Sequence, residues 1–412
     1  MHCRICKGSQ LKKFLDLGAV ALANNYLRKE DLGKPEHTER LDVYFCEDCG
    51  LVQLGTVVPP EKLFRYYLYY SSNSPMLMAH FSVYADEIAA MHADKKKAFV
   101  VEIASNDGIL IRNFKRHGIR FLGIDPAENI AKKANEEGIP TLAEFFNSKT
   151  AASIEKEHGR ATAILGNNVF AHIDDIHDVI DGVDALLSKD GFLALEFPYL
   201  VNLLENIEFD TIYHEHLSYF SITPLVKFFA MHDMEIFDVK RTSIHGGSVR
   251  LFIQRKGGPR KALPSVAELL ALEKQRGITE LTTYQHFAEN VKKLKAGLVS
   301  LLSKLKKEGK SIAAYGAPAK GNTLLCYCGI GTKFLDFTVD RSPYKQGLYT
   351  PGMHLPILAP EELLRRKPDY TLILAWNFAS EIMKQQEAYA KSGGKFIIPV
   401  PSPRIFDNTP IK

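Results

Sequence analysis

The stretch Ala98-Phe-Val-Val-Glu-Ile-Ala-Ser-Asn-Asp-Gly108 decides the fold of this 412-residue chain. Its first six residues form a short apolar run, which is typical of a buried strand. The elements predicted after it are a helix at Asp107–Arg116, a strand at Arg120–Ile124, a helix at Ala127–Glu137, and strands at Thr162–Gly166 and Phe192–Phe197 with a helix between them. This alternation predicts a parallel, doubly wound α/β sheet whose ligand lies at the carboxyl ends of the strands.

The turn after the first strand distinguishes between two cofactors. A dinucleotide needs Gly-x-Gly-x-x-Gly for its pyrophosphate, whereas Glu102–Gly108 has one glycine and an acid inside the strand. S-adenosylmethionine (SAM) has no pyrophosphate, so we expect SAM here, with another nucleotide as the alternative. The residues expected to bind it are Glu102, Asn106, Asp107, Gly108, Asp125 and Asn167, with Asp125 accepting the ribose hydroxyls. In the competing interpretation Glu102 and Asn106 only cap the next helix.

Two Cys-x-x-Cys pairs, Cys3/Cys6 and Cys46/Cys49, indicate a metal site. Two residues between cysteines let one turn direct both thiolates at the same ion, and two such turns complete a four-thiolate zinc site. A fully occupied ligand set predicts a structural rather than a catalytic zinc ion. Two unrelated pairs of buried thiols are the alternative.

The composition excludes several classes of protein. Apolar residues make up 46% and charged residues 24% of the chain, which is ordinary for a globular protein, and the net charge of +4 gives no footprint for nucleic acid. No apolar run reaches the length of a membrane span, and the polar N-terminal residues do not resemble a signal peptide. These features predict a cytoplasmic protein without a nucleic-acid or membrane partner.

The segment Asp210–Ser221 holds four side chains of proton-transfer chemistry in a row: Tyr213, His214, Glu215 and His216. A phenol, two imidazoles and a carboxylate can move protons near neutral pH or stabilise an oxyanion. A polar turn is the plain alternative. A second metal site at His214 and His216 is disfavoured, because adjacent residues of a helix do not share a face and no third ligand is near in sequence.

The order of motifs along nearly the whole chain resembles the SAM-dependent C-methyltransferases of deoxysugar biosynthesis, which methylate C-3 of nucleotide-linked 4-keto sugars. The motifs are the paired Cys-x-x-Cys, Tyr67–Ser72, Glu102–Gly108, the stretch around His172, Tyr213–His216, His245–Arg250, Tyr315–Lys320 and Cys328–Ile330. Two positions depart from the family pattern. Ala104 stands where a glycine is common, and His214 replaces a common acid.

The resemblance implies an enolate mechanism and roles for particular residues. His216 is expected to remove the C-3 proton, oriented by Glu215, while Tyr213 stabilises the enolate oxygen; a base shared by Tyr213 and His216 stays open. His172, counted among the catalytic residues, is implied to line the sugar pocket together with Tyr67 or Tyr69. His245 is implied as a further substrate ligand, and Lys320 as a ligand of the diphosphate.

Beyond a turn-rich linker at 256–260, a long helix carries an apolar seam from Tyr284 to Leu305, including Leu301. We expect it to pack on its own domain, with a coiled-coil dimer as the alternative. The strands predicted after it are Ser311–Tyr315, Phe334–Val339, Tyr370–Trp376 and Lys395–Val400, which form a second α/β unit. Cys326 and Cys328 are expected in its core.

The sequence thus predicts an α/β protein of three parts. These are an N-terminal four-cysteine zinc module at residues 1–95, a class I SAM methyltransferase Rossmann-like domain at 96–255, and a second Rossmann-like domain at 256–412 after the linker and helix. The expected activity is methyl transfer to a nucleotide sugar by a monomer, with a dimer as the alternative. The rival functions are methylation at another position or acceptor, a zinc-module binding protein with a vestigial cofactor fold, and a nicotinamide oxidoreductase.

Overall fold

The computed structural model describes residues 1–67 and 70–407, except for the side chains of Asn73 and His245. The strands are β1 (Leu11–Ala21), β2 (Thr38–Cys46), β3 (Val52–Leu54), β4 (Phe99–Ile103), β5 (Arg120–Ile124), β6 (Thr141–Leu142), β7 (Ala161–Asn167), β8 (Leu187–Pro198), β9 (Ser218–Tyr219), β10 (Met234–Thr242), β11 (Ser248–Arg255), β12 (Ile312–Tyr315), β13 (Thr338–Val339), β14 (Ile357–Leu358), β15 (Tyr370–Ile373), β16 (Lys395–Ile398) and β17 (Arg404–Phe406). They form three sheets, of four, seven and six strands.

Helices cover the sheets and connect their strands. They are α1 (Pro60–Phe64), α2 (Pro75–Ala90), α3 (Glu128–Glu136), α4 (Ser148–His158), α5 (Ile176–Leu186), α6 (Leu200–Glu205), α7 (Ile222–Ala230), α8 (Pro264–Gln275), α9 (Leu281–Lys307), α10 (Ala319–Cys328), α11 (Glu361–Arg366), α12 (Ala379–Gln385) and α13 (Glu387–Lys391). Within the described ranges, none of these helices combines the length and hydrophobicity that a bilayer span requires.

The seven-stranded sheet has the order β10-β11-β8-β7-β4-β5-β6. The strands from β6 to β8 run parallel, while β11 lies antiparallel to both β8 and β10. The first strand, β4, is buried along its whole length, as its unbroken apolar run predicts. The reversed hairpin at one edge of an otherwise parallel sheet fits the predicted class I methyltransferase fold.

The helix predicted at Asp107–Arg116 forms later and with tighter turns, as a 3₁₀ helix at Ile111–His117. The reason lies in the preceding turn, where Ala104, Asn106 and Gly108 all have positive φ. A left-handed conformation at these positions cannot belong to a right-handed helix, so the helix begins only after the turn is complete.

The C-terminal sheet has the order β14-β13-β12-β15-β16-β17, with its first five strands parallel and β17 antiparallel. This order confirms a second doubly wound, Rossmann-like unit. Its strands are shorter than predicted. Only Thr338–Val339 of Phe334–Val339 is strand, and β15 ends at Ile373, so Trp376 lies in a 3₁₀ turn after the strand.

The four-stranded sheet joins the cysteine module to the central domain. Its order is β1-β2-β3-β9, so its fourth strand, Ser218–Tyr219, comes from the segment that directly follows His216. Long helix α9 packs on this sheet as well, because the ring of Tyr284 lies 4.7 Å from that of Phe45 and 5.1 Å from that of Phe14. The helix thus packs on its own domain, against α10, as expected, and on the N-terminal sheet in addition.

The buried seam of α9 differs from the predicted one at a single position. Leu298, Leu302 and Leu305 are buried, whereas Leu301 is half-buried. A helix has 3.6 residues per turn, so a step of four after Leu298 keeps the seam on the same face.

Candidate functional site

The four paired cysteines meet at one point. The sulfur atoms of Cys3 and Cys49 lie 3.5 Å apart and those of Cys6 and Cys46 lie 3.6 Å apart, and all four lie within 4.8 Å of one another. Four thiolates at the usual zinc–sulfur distance of about 2.3 Å would stand about 3.8 Å apart in a tetrahedron. The four thiols therefore fit a closed, structural zinc site, as the sequence predicts.

Backbone geometry brings the second cysteine pair into this arrangement. Gly50 has a φ of +87° and donates its N–H to the carbonyl of Cys46 at 2.8 Å. Only glycine adopts this conformation without steric cost, which explains its place directly after Cys49.

The turn after β4 forms a cradle at the carboxyl end of the central sheet. Gly108 has a φ of +73°, and a Cβ atom there would lie 2.6 Å from Cγ2 of Ile139. The side-chain oxygen of Asn106 accepts the N–H of Ser71 at 2.9 Å, and Asp107 accepts that of Ser72 at 3.3 Å. The chain before α2 is thereby fastened over the turn.

Several buried oxygen atoms of this region have no hydrogen-bond partner among the described residues: Oε2 of Glu102, Oγ of Ser105, Oδ1 of Asp107, Oδ1 of Asn167 and Oδ1 of Asn168. Asn167 donates its amide N–H to the other oxygen of Glu102 at 3.0 Å, which joins β7 to β4. Burial raises the pKa of Glu102 well above its ordinary value. Buried acceptors of this kind need a donor, and the ammonium group of SAM is a donor of suitable charge.

Asp125 stabilises the turn after β4, in addition to its predicted role as acceptor for the ribose hydroxyls. Its two oxygens accept the N–H groups of Asn106 at 2.8 Å and of Ala127 at 2.9 Å. Burial raises the pKa of Asp125 to about 6. The carboxylate therefore closes the cradle turn, and its remaining lone pairs stand at the carboxyl end of β5, where ribose hydroxyls are expected.

The ring of His216 lies between two other candidate side chains. Its centroid is 4.1 Å from that of Tyr213 and 4.9 Å from that of His172. Nδ1 of His216 lies 2.7 Å from the carbonyl oxygen of Thr211. A carbonyl only accepts, so Nδ1 carries a proton, and in the neutral form of the ring Nε2 is the basic nitrogen.

His172 lies in an apolar environment next to this base. Its ring stacks on Phe64 at 5.6 Å. Burial, together with the nearby imidazole of His216, lowers the pKa of His172 well below its ordinary value. His172 is therefore neutral at physiological pH.

The carboxyl group of Glu215 forms hydrogen bonds with residues other than His216. Its oxygens accept the hydroxyl of Tyr67 at 2.9 Å and the amide of Asn24 at 2.6 Å. The expectation that Glu215 orients His216 is therefore wrong, because the carbonyl of Thr211 has that task. Burial raises the pKa of Glu215 to about 7.

His214 is separated from the other candidates. It is buried, and its Nε2 donates to the carbonyl oxygen of Glu39 in β2 at 3.0 Å. It anchors the motif to the four-stranded sheet, while His216 bonds Thr211. In the part of the chain that the structure describes, the four cysteines are the one group with metal-ligand geometry.

The C-terminal domain contributes residues that the sequence did not single out. The hydroxyl of Tyr26 and the ammonium of Lys345 both donate to the carbonyl oxygen of Ala317, at 2.5 and 2.9 Å. Lys345 also acts on the charge of Glu215. Nothing in the sequence marks these contacts, and the one between Tyr26 and Ala317 joins positions 291 residues apart.

Lys320 lies at this junction, but its ammonium is already engaged. It bonds the side-chain oxygen of Asn377 and stands 3.9 Å above the ring of Trp376. Burial lowers the pKa of Lys320 to about 8, against the opposing charges of Asp210 and Glu208. Two further predicted substrate ligands, Tyr69 and the side chain of His245, lie outside the described residues.

Comparison with known proteins gives matches along the whole chain. Residues 3–64 match the family model "Putative zinc binding domain", residues 77–237 match "Methyltransferase domain" and residues 243–401 match "C-methyltransferase C-terminal domain". The C-methyltransferase NovU of Streptomyces niveus is 39% identical over 404 residues, which are 98% of this chain and 96% of the relative.

Solved structures match less than half of the chain, at low similarity. The magnesium protoporphyrin IX methyltransferase ChlM of Synechocystis with bound SAM is 14% identical over 44% of this chain and 82% of its own, with a TM-score of 0.33. A SAM-dependent methyltransferase of Anabaena variabilis is 19% identical over 43% of this chain and 85% of its own, with a TM-score of 0.34.

Proposed function

This chain belongs to the C-methyltransferase family, and from that premise we propose that it methylates C-3 of a nucleotide-linked 4-keto-deoxysugar through an enolate. It is a SAM-dependent enzyme, and SAM when bound supplies a methyl group on a positively charged sulfur. The residues that would hold SAM are those of the cradle, with Glu102 and Asn167 as acceptors for its ammonium group and Asp125 for its ribose.

The observation that carries the proposed mechanism is the hydrogen bond from Nδ1 of His216 to Thr211. In the neutral form of the ring this bond selects the tautomer with its proton on Nδ1, which leaves Nε2 to act as a general base. A carbon next to a ketone must lose a proton before it attacks a methyl group, and His216 has the type and tautomer for this step.

In the proposed mechanism Tyr213 serves the other end of the enolate. Its ring lies against that of His216, so one side chain can take the proton while the other donates a hydrogen bond to the ketone oxygen. A phenol on the oxygen and an imidazole on the carbon is the arrangement we propose, and exchange of the two roles remains the alternative.

Neutral His172 and the Tyr67–Glu215 pair complete the proposed sugar pocket. Tyr67 holds Glu215 and lies in the same segment as Phe64, whose ring covers His172. These groups offer hydroxyl, carboxyl and imidazole partners to a sugar ring. The diphosphate role of Lys320, the substrate role of His245, the cytoplasmic location and the monomeric state stay predictions.

The experiment is a mass-spectrometric assay in deuterated water with SAM and a dTDP-linked 4-keto-2,6-dideoxysugar. Wild type should add one methyl group and exchange the C-3 proton, and His216→Asn should lose both signals. His286→Asn, on the exposed side of α9, is the matched control and should retain both.

Other outcomes separate the alternatives. Exchange without methylation would keep the enolate chemistry and reject this sugar as the full substrate. Methylation without exchange would reject the enolate and favour an oxygen or nitrogen acceptor. Absence of both signals across several keto sugars would overturn the proposed substrate class.

A further inference from the structure

The short segment that orients His216 is held from the C-terminal domain. Phe209–Thr211 is a 3₁₀ turn, and helix α10 packs directly against it. The ring of Tyr327 in α10 meets that of Phe209 edge to face at 5.4 Å. The Thr211 carbonyl, which accepts from Nδ1 of His216, therefore lies in a turn that packs against the C-terminal domain.

A hydrogen bond also joins this turn to the C-terminal domain. Nε1 of Trp376 donates to Oδ2 of Asp210 at 2.6 Å, and Asp210 is fully buried. Trp376 follows β15 at the carboxyl edge of the C-terminal sheet. The N–H of Thr211 donates to the carbonyl oxygen of Glu208 at 3.1 Å, within the same turn. The turn that contains Thr211 is thus tied to a side chain 166 residues further along the chain.

Charged groups lie around the hydrogen bond between Trp376 and Asp210. The ammonium of Lys320 lies over the indole face and acts on both Asp210 and Glu208, while Asn377 accepts from the same ammonium. Burial raises the pKa of Asp210 to about 6, and the charge of Lys320 opposes that rise. In its charged form the carboxylate accepts a stronger bond from the indole. In this arrangement Lys320 lies beside the turn that carries Thr211.

We propose that Trp376 and Asp210 are positioning residues for the base, holding the Thr211 carbonyl and through it the ring of His216. The proposal gives the C-terminal domain a part in proton abstraction, and its catalytic side rests on the proposed role of His216. If the indole N–H is lost, the turn is free to rotate its peptide groups, and the hydrogen bond from Nδ1–H of His216 to the Thr211 carbonyl is weakened.

The first test needs no substrate. Full-length protein labelled with ¹⁵N-histidine is examined by long-range ¹H–¹⁵N correlation, with His216 assigned by comparison with His216→Asn. Wild type should show a proton on Nδ1 and none on Nε2. Trp376→Phe, which keeps an aromatic ring but removes the donor, should show the averaged signals of two tautomers.

The matched control is Tyr389→Phe in the same domain. It also removes a buried donor from an aromatic ring, since the hydroxyl of Tyr389 lies 2.9 Å from that of Thr371, away from the turn. This variant should leave the spectrum of His216 unchanged. Asp210→Asn, which keeps an oxygen for the indole, should retain the wild-type tautomer. A wild-type spectrum of His216 in Trp376→Phe would overturn the proposal.

A further measurement covers the case in which Trp376→Phe does not fold. Trp376 is the single tryptophan of the chain, so its indole N–H gives one resolved signal in the wild-type protein. The proposal requires that this proton exchange slowly with solvent, and rapid exchange would overturn it.

Kinetics separate this proposal from the substrate assignment. With the dTDP-linked sugar, Trp376→Phe should lower kcat and the rate of C-3 exchange at least tenfold, with the KM for SAM unchanged, and Tyr389→Phe should not. Failure of wild type to act on the sugar would reject the substrate while the tautomer test still decides the positioning role. An equal kcat in Trp376→Phe and wild type would reject the catalytic part.

Discussion

The carboxyl group of Glu215 is 3% exposed and accepts hydrogen bonds from Tyr67 and Asn24. These bonds favour the charged form, but burial disfavours it more strongly and raises the pKa to about 7. A carboxyl group that changes charge near neutral pH can present either an acceptor or a donor to a sugar hydroxyl, depending on pH.

This raised pKa predicts a pH dependence of stability. The protonated form is favoured in the folded protein, so its stabilising contribution is complete below the ordinary pKa of 4.5 and is lost as the pH rises through about 7. Between pH 4.5 and 8, the free energy of unfolding of wild type should fall relative to that of Glu215→Gln by about 3 kcal/mol. Urea unfolding at a series of pH values measures this difference.

The control for this series is Glu362→Gln. Glu362 is paired with Arg365 and Arg366, which lower the pKa of Glu362 to about 2, so it stays ionised through the whole range. Its variant should run parallel to wild type. Parallel curves for Glu215→Gln as well would contradict the assigned pKa.

At the residue scale, the sequence predicted which side chains gather but not how they pair. Tyr213, His216 and His172 lie together, as the family motif implies. Adjacent residues in a turn point apart, so Glu215 reaches Asn24 and Tyr67 while His216 reaches back to Thr211. A backbone acceptor leaves no mark in a sequence, and this explains why the wrong partner was expected.

At the element scale, the apolar seam of α9 gives a sharp comparison. Leu302 is fully buried and Leu301 is half-buried, although both are leucines on neighbouring positions. Leu302→Ala should lower the free energy of unfolding by about 2–5 kcal/mol, because it leaves a cavity in the core. Leu301→Ala should cost about 1 kcal/mol, since little apolar area is lost.

Chemical denaturation of the two variants measures the difference. Equal losses would mean that the seam follows the spacing expected from the sequence, with Leu301 inside. A larger loss for Leu301→Ala would reverse the assignment of the buried face.

Some element boundaries followed the sequence closely. Strand Arg120–Ile124 was predicted to the residue, and its last three residues are buried. The prediction failed at Asp107–Arg116, where left-handed residues delay the helix, and at Phe334–Val339, where only two residues pair. In both cases local backbone geometry overrides the pattern of side chains.

At the scale of the whole molecule, the cysteine module and the proposed catalytic segment share one sheet. Ser218–Tyr219 pairs with β3, and the guanidinium of Arg4, next to Cys3, donates to the carbonyl oxygen of Leu217 at 3.0 Å. Sheet pairing of this kind did not follow from the sequence, which predicted an independent zinc module. The zinc site is thus connected to the residue after His216 through a few bonds.

Removal of zinc should therefore reduce activity, although no thiolate lies in the proposed pocket. We expect at least a tenfold loss of kcat in Cys49→Ser or after exhaustive chelation, recovered in the chelated protein when zinc is returned. Metal content and methyl transfer measured on the same samples test this. Cys326→Ser, a thiol outside the cluster, is the control, and full activity of zinc-free protein would contradict the prediction.

The place of β9 in the N-terminal sheet also bears on biosynthesis. Strand β3 ends at Leu54, but its partner at Ser218–Tyr219 leaves the ribosome about 160 residues later, or roughly 10–30 s at ordinary rates of synthesis. During that interval the nascent chain carries an unpaired, apolar sheet edge, which is a surface that favours aggregation. Zinc bound early would hold the edge in place, and a chaperone that covers β3 would protect it until the catalytic segment arrives.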